Sequence, residues 1–239
     1  MPLKNEVYLV DAGNTQVKIA FAQNGIIQWV RRLNHVSFSL SDLDSNIPVA
    51  YSSVIGVELK NDLQHYFKAT FEIQSGMSLP FEMCYESPET LGMDRLCNAA
   101  ALSQIQPGRP RLAVDLGTCI KFDFLDAEQK YLGGSISPGL QMRAKALAHF
   151  TSKLPELKIS VSPQFIGTNS QSSIEIGTYL GWQKEIEGFI SAYQKKYPDI
   201  YIALTGGDAA HFDMGQKSGI FVHENLTLEG ILSLYLTHA

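Results

Sequence analysis

Two stretches, one near the start of the chain and one near its middle, read almost alike. Leu9-Val10-Asp11-Ala12-Gly13-Asn14-Thr15-Gln16-Val17-Lys18-Ile19-Ala20-Phe21 lines up with Leu112-Ala113-Val114-Asp115-Leu116-Gly117-Thr118-Cys119-Ile120-Lys121-Phe122-Asp123-Phe124 once a single residue is dropped near Asn14. Each is an apolar run, an aspartate, a glycine-containing turn and a second apolar run, the pattern of two strands joined by a tight hairpin. One such unit is local structure. Two at half-chain spacing indicate an internal duplication, and a repeat governs the reading of the whole fold. Turn N–H groups that the ladder does not use can receive an anion. An aspartate ending a strand beside them suits a metal ion carried in with a phosphate. Taken singly, either copy is also compatible with an ordinary hairpin whose Asp-Ala-Gly-Asn turn faces solvent.

The composition narrows the class. The 239 residues are 45% hydrophobic and 18% charged, enough apolar material for a packed core. A formal net charge of −5, with no basic run longer than Arg31-Arg32 or Lys195-Lys196, gives no electrostatic case for nucleic acid binding. No apolar run approaches the ~20 residues that span a bilayer, so no membrane partner is expected. Cys84, Cys97 and Cys119 are odd in number and lack metal-type spacing, as expected of reduced thiols in a cytoplasmic protein. The six histidines are scattered and suggest no zinc site.

Taken in order, Val7–Val10, Val17–Phe21 and Ile26–Val30 read as a three-stranded meander with Asn24-Gly25 at its second turn. Val36–Leu43 reads as weakly helical. Val49–Val54 is a strand ending in hydroxyls, Val57–Phe67 a helix and Phe71–Ile73 a short strand. Pro80 and Pro88 bracket an irregular stretch. The Ala-rich segment after Gly92 is a helix, with Asp94 and Arg95 at its start. Asp94 there is either a plain cap beside a solvated Arg95 or part of a site, since Gly92 allows close backbone approach. Gln106–Pro110 is the best linker, dividing the chain into 1–106 and 107–239. In the second half Tyr131–Leu140 completes another meander, and its glycines around Ser135 and Ser137 leave room for a small ligand. A helix follows from Leu140, then a polar stretch at Leu154–Phe165, a hydroxyl-rich segment at Ile166–Ser173 and a helix over about Ile174–Tyr193. Ile200–Leu204 is a strand leading into Thr205-Gly206-Gly207, another turn compatible with an anion or nucleotide. Leu226–Leu236 is a terminal docking helix.

The two Asp-x-Gly hairpins in duplicated halves, with the late Thr205-Gly206-Gly207 turn, resemble the acetate and sugar kinase, Hsp70 and actin superfamily. Within it, Asp11–Thr15, Gly92-Met93-Asp94-Arg95, Asp115–Thr118 and Gly133–Gly139 resemble type III pantothenate kinases over essentially the full chain. The resemblance implies an α/β, duplicated ribonuclease H-like (actin-like ATPase) fold. Each half would carry a mixed five-stranded sheet and helices, with an ATP cleft between the halves. It further implies ATP-dependent phosphorylation of pantothenate to 4′-phosphopantothenate, the first step of coenzyme A biosynthesis. Asp94 then matches the general base, with Tyr85, Gly92, Met93 and Arg95 as its substrate-binding neighbours. Asp11, Ala12, Gly13, Asn14, Thr15, Gln16, Val17 and Lys18 match the ATP phosphate loop, with Asp11 near Mg²⁺. Thr118 matches a second phosphate contact, and Asp115 a monovalent-cation (K⁺ or NH₄⁺) ligand. The family is dimeric, with the substrate site at the subunit interface. It usually has Asn-Thr where this chain has Asn169-Ser170, and Ser170 keeps the hydroxyl for a pantothenate contact.

These roles agree with the chemistry of the residues. Phosphoryl transfer relies on positioning and charge neutralisation. An aspartate at a helix start stays ionised and can accept a hydroxyl proton. Arg95 could pair with a substrate carboxylate or with the transferring phosphoryl group. Two other readings stay open. One is a non-enzymatic regulator, since some relatives are described as Bvg accessory factors. The other is a kinase for a different small alcohol, such as a sugar.

Overall fold

In the computed structural model, which describes residues 6–13, 16–33, 39–53, 57–160, 164–213 and 219–238, the opening meander forms as expected. Strands β1 (Glu6–Ala12), β2 (Val17–Gln23) and β3 (Ile26–Leu33) pair antiparallel in sequence. The β2–β3 turn places Asn24 at φ 55° and Gly25 at φ 77°, the two left-handed residues of a type I′ turn. Two parallel neighbours complete a five-stranded sheet, β4 (Val49–Ser53) beside β1 and β5 (Thr70–Glu72) beside β4. Helix α1 (Val57–Tyr66) connects them. The weak helix expected at Val36–Leu43 lies partly outside the described residues. Its described part runs as turns, closed by the Leu43 N–H donating to the Leu40 carbonyl at 3.0 Å.

The unbroken apolar run of β1 has a direct cause, because both of its faces are covered. Tyr8, Val10 and Ala12 enter one core with Ile19, Tyr51, Leu63 and Phe67. Leu9, fully buried, points to the other face, where α5 (Leu226–His238) packs. Asp11 shares the face of Leu9.

The second half repeats this order strand for strand. Its sheet runs β11-β10-β7-β8-β9-β6, so β9-β8-β7-β10-β11 matches β3-β2-β1-β4-β5. Here β7 (Arg111–Leu116), β8 (Cys119–Leu125) and β9 (Lys130–Pro138) are the meander. The parallel neighbours are β10 (Tyr201–Thr205), next to β7, and β11 (Ile220–Val222). The sheet has six strands rather than five, because β6 (Glu82–Met83) from the irregular stretch adds to the outer edge of β9. Two residues carry no periodicity, so β6 was illegible in sequence. Helices α3 (Leu140–Phe150) and α4 (Ser170–Lys196) cover a core of Leu112, Val114, Leu116, Trp182, Ile186 and Ile202. α4 begins earlier than its apolar periodicity suggests. The hydroxyl-rich segment is its cap, Asn169 Oδ1 accepting from Ser172 N at 2.9 Å while Ser172 Oγ accepts from Asn169 N at 3.2 Å.

Contacts divide the chain into two compact units. One comprises 1–108, 125–133 and 225–239; the other comprises 109–124 and 134–224. The terminal helix therefore belongs with the first unit, docked on α2 (Met93–Gln104). Residues Arg95 to Ser103 of α2 are all buried, so this helix is a core element on every side. Thr227 Oγ1 donates to Asn98 Oδ1 at 3.0 Å, and a Cβ on Gly230 would lie 1.8 Å from the Cys97 carbonyl oxygen. Only glycine permits that approach. Gly230→Ala is expected to destabilise the fold by about 3 kcal/mol, read as a shift in the urea midpoint, because backbone rather than a movable side chain must yield.

Candidate active site

The first hairpin closes on backbone. Gly13 N–H donates to the Gln16 carbonyl at 3.1 Å, and the residues between them, Asn14 and Thr15, lie outside the described residues. Ala12 and Val17 are each 1% exposed, so their side chains serve the core and only their backbone is available to a ligand. Asp11 stands opposite Lys18 across the β1–β2 ladder and beside Ser52 across the parallel β1–β4 ladder.

The second hairpin is the same device made one residue shorter. Gly117 N–H donates to the Cys119 carbonyl at 3.2 Å, a turn tighter by the one residue that the sequence alignment had to drop. Asp115 Oδ2 meets Lys121 Nζ at 2.8 Å, the pairing that its Asp11–Lys18 counterpart holds in register. Thr205 on β10 occupies the place of Ser52. Thr118 is exposed at the turn. The N-terminus of α3 is held against that turn, with Gly139 N–H donating to the Thr118 carbonyl at 3.1 Å. A Cβ on Gly139 would lie 2.2 Å from the Gly117 carbonyl oxygen, so the contact requires glycine. No side chain caps α3, which leaves the positive end of its dipole beside the turn as a place for an anion. Arg143 of α3 bonds the Pro138 carbonyl at 2.9 Å and pairs with Glu185, which also accepts from Ser137.

The Thr205-Gly206-Gly207 turn packs on the same strand end. Asp208 N–H donates to the Leu116 carbonyl at 2.8 Å, just after Gly206 at φ 98°. Burial pushes the Asp208 carboxyl above the usual range, and His211, 3.6 Å away, offsets part of that.

The acceptor-side residues gather in the first unit. Gly92 caps α2 without a side-chain bond, and Asp94 sits in the first turn with Oδ1 accepting from Arg95 N at 2.8 Å. A Cβ on Gly92 would lie 2.6 Å from that oxygen, so glycine leaves Asp94 its room. Arg95 is 4% exposed rather than solvated. Its guanidinium lies 5.8 Å from the Tyr85 ring centroid, and Tyr85 in turn lies over Gly133. Met93 opens α2, half-buried. Thus Tyr85, Gly92, Asp94 and Arg95 form one cluster. Ser170 lies in the other unit, at the exposed first position of α4, where the neighbouring Asn169 is committed to the cap.

Two participants escaped the sequence reading. Burial, first, and then the charges of Asp11 and Asp94 push the Cys97 thiol well above the usual range. Ser52 lies beside that thiol and lowers it slightly. The signals available were the spacing of Cys97 one helical turn after Asp94, and the hydroxyls ending β4. Among the described residues no group of three His, Cys, Asp or Glu side chains could hold a metal. Asp11 and Asp115 are single carboxylates beside backbone turns. Also among them, no helix is long and apolar enough to cross a membrane.

Comparisons with known proteins fit this geometry. A solved Baf family protein from Campylobacter jejuni superposes with a TM-score of 0.62 at 21% identity, over 95% of this chain and 96% of that one. The inorganic polyphosphate/ATP-glucomannokinase of Arthrobacter sp. strain KM superposes at 0.51 and 11% identity, over 98% of this chain and all (100%) of the other. The fold is therefore that of the actin-like ATPases and sugar kinases. A protein of Cytophaga hutchinsonii named type III pantothenate kinase is 39% identical over 225 residues, 93% of this chain and 95% of its own. The family model for type III pantothenate kinase matches residues 7–192, and the chain belongs to that family.

Proposed function

We propose that this chain phosphorylates pantothenate to 4′-phosphopantothenate with ATP, the first step of coenzyme A biosynthesis. The observation that carries the reading is the Tyr85–Gly92–Asp94–Arg95 cluster at the start of α2, the buried helix whose Cys97 lies near the hairpin aspartate Asp11. Asp94 accepts the proton of the pantothenate hydroxyl as its oxygen bonds the γ-phosphorus. The bond from that phosphorus to the β–γ bridging oxygen breaks, and ADP leaves. Asp94 stands in the first turn of α2. Arg95, held under Tyr85, pairs with either the substrate carboxylate or the transferring phosphoryl group.

Each turn is assigned a phosphate-binding role by itself, Gly13–Gln16 in the first unit and Gly117-Thr118, with the α3 N-terminus beside it, in the second. The sequence halves 1–106 and 107–239 are read as two copies of one ATPase half, each supplying one turn. A single Asp11 carboxylate at an open backbone turn fits Mg²⁺, which keeps most of its waters and needs few protein ligands. Bound there, the ion would neutralise phosphate charge. At Asp115, Oδ2 is committed to Lys121 while Oδ1 faces Gly117, so a monovalent cation, K⁺ or NH₄⁺, would share this carboxylate with the lysine. The strongly exposed Phe150, Phe165 and Ile166 support a homodimer, in which Ser170 would reach pantothenate at the interface. Three unpaired cysteines agree with a cytoplasmic location.

The deciding measurement is ADP release coupled to a detectable reaction, with pantothenate as acceptor and a panel of sugars as competitors. Turnover with pantothenate is expected; turnover with a sugar alone would transfer the reading to another small-alcohol kinase. Asp94→Asn is expected to lower kcat by ~10²–10⁴ while the melting temperature holds. For the cation, Lys121→Met releases Asp115 Oδ2, so the variant's rate should rise more steeply with added K⁺ or NH₄⁺ than the wild type's. Equal cation dependence in both would remove the monovalent ion from Asp115.

A further inference from the structure

Strand β4 ends in hydroxyls, and the roles above leave them unused. Ser52 stands beside Asp11 in the parallel β1–β4 register, so the two side chains leave the sheet on the same face. It is 1% exposed, and among the described residues its Oγ meets no nitrogen or oxygen partner. The buried thiol of Cys97 lies against it. A thiol is a weak acceptor, and a buried hydroxyl left with so little is costly unless something else uses it. Packing gives no reason for a polar atom here, since alanine would fill almost the same space.

The second half makes the same choice. Thr205, 2% exposed, stands beside Asp115 in the parallel β7–β10 register. The residue before the hydroxyl differs between the copies, Tyr51 against Leu204. A hydroxyl next to the hairpin carboxylate is retained in both. Within the reading given above, such a hydroxyl has work to do. Its oxygen can accept from water carried by a hydrated cation, and its proton can go to the carboxylate that holds the ion.

We propose that Ser52 is a positioning residue for the metal–phosphate site, bridging the Asp11 carboxylate and the water shell of the divalent cation that enters with ATP. It acts through Asp11 and touches neither substrate nor the reacting atoms. This rests on the assignment of the first hairpin to the ATP phosphates.

The test is calorimetric binding of ATP to the full chain at graded Mg²⁺ without pantothenate, on wild type, Ser52→Ala and Ser52→Thr. Outer groups that orient a metal site typically cost tenfold or more in metal affinity when removed. Ser52→Ala should therefore need about tenfold more Mg²⁺ for half-maximal ATP binding, with an unchanged or raised ligand-free melting temperature and an unchanged KM for pantothenate. Ser52→Thr, which supplies the hydroxyl that the second half uses, should restore the wild-type Mg²⁺ dependence. An alanine variant that matches wild type across the Mg²⁺ series overturns the proposal, as does one whose only change is a lower melting temperature. A threonine variant shifted as far as alanine overturns it too, since the effect would then follow shape rather than the hydroxyl. Should Ser52→Ala fail to fold, Ser52→Cys gives the same comparison at nearly constant volume. If wild type itself binds ATP with no Mg²⁺ dependence, the hairpin assignment falls first and this inference with it.

Discussion

An aspartate at the end of a buried strand is the constraint on which the rest depends. Strands as apolar as Val7–Val10 and Leu112–Val114 are covered on both faces, and a carboxylate continuing such a strand would lose its hydration. Each half meets the problem in the same way. The aspartate is put on the last turn-ward positions of the strand, a lysine is set opposite it, and a hydroxyl is set beside it. In the second copy the pair is explicit, Asp115 to Lys121 at 2.8 Å with side chains only 10% and 15% exposed. Removing one partner of a buried pair costs about 3–5 kcal/mol, because the remaining charge is stranded. The lysine therefore supplies the counter-charge that this buried carboxylate needs.

The base has the opposite requirement. As the proposed base, Asp94 would have to keep one position while phosphate and acceptor come and go, and it sits at the start of a helix buried along most of its length. α2 is buried from Arg95 to Ser103, and α5 is seated on it through Gly230 at backbone contact. A closely packed interior transmits displacement instead of absorbing it. This accounts for the return of the chain's last helix to the first unit: without α5, the face of α2 that carries Cys97 and Asn98 would be open to water.

Much of this was legible in the residues. The duplication made two meanders legible, because an Asp-x-Gly hairpin seen twice implies two of them, while the mixed sheet with its parallel neighbours was implied only by the family resemblance. Asn24-Gly25 named its own turn. The Gly92–Arg95 cluster was legible through its glycine, whose room Asp94 occupies. Other features were not, for physical reasons. The start of α4 was hidden because its first turn is stabilised by Asn169 and Ser172 side chains, which carry no apolar period. β6 and β11 are two and three residues long, below the length at which alternation can be seen. Ser52 looked like an ordinary strand end, since only register shows that it faces Asp11. Likewise the return of α5 to the first unit is a tertiary fact that no local pattern encodes.

Duplication also set a starting point from which the two hairpins have diverged. The first keeps the longer turn, with Asn14 and Thr15 between Gly13 and Gln16. The second is one residue shorter and has fewer groups of its own. It makes up the difference by borrowing, since Gly139 brings the uncapped N-terminus of α3 to within 3.1 Å of the Thr118 carbonyl. A helix end supplies aligned N–H donors and partial positive charge without adding a lysine that would have to be desolvated. If both turns take anions as proposed, the copies differ in means, one through turn length and the other through a glycine-limited helix approach. For this reason a substitution at Gly139 and one at Asn14 act on the same property although neither residue has a counterpart in the other half.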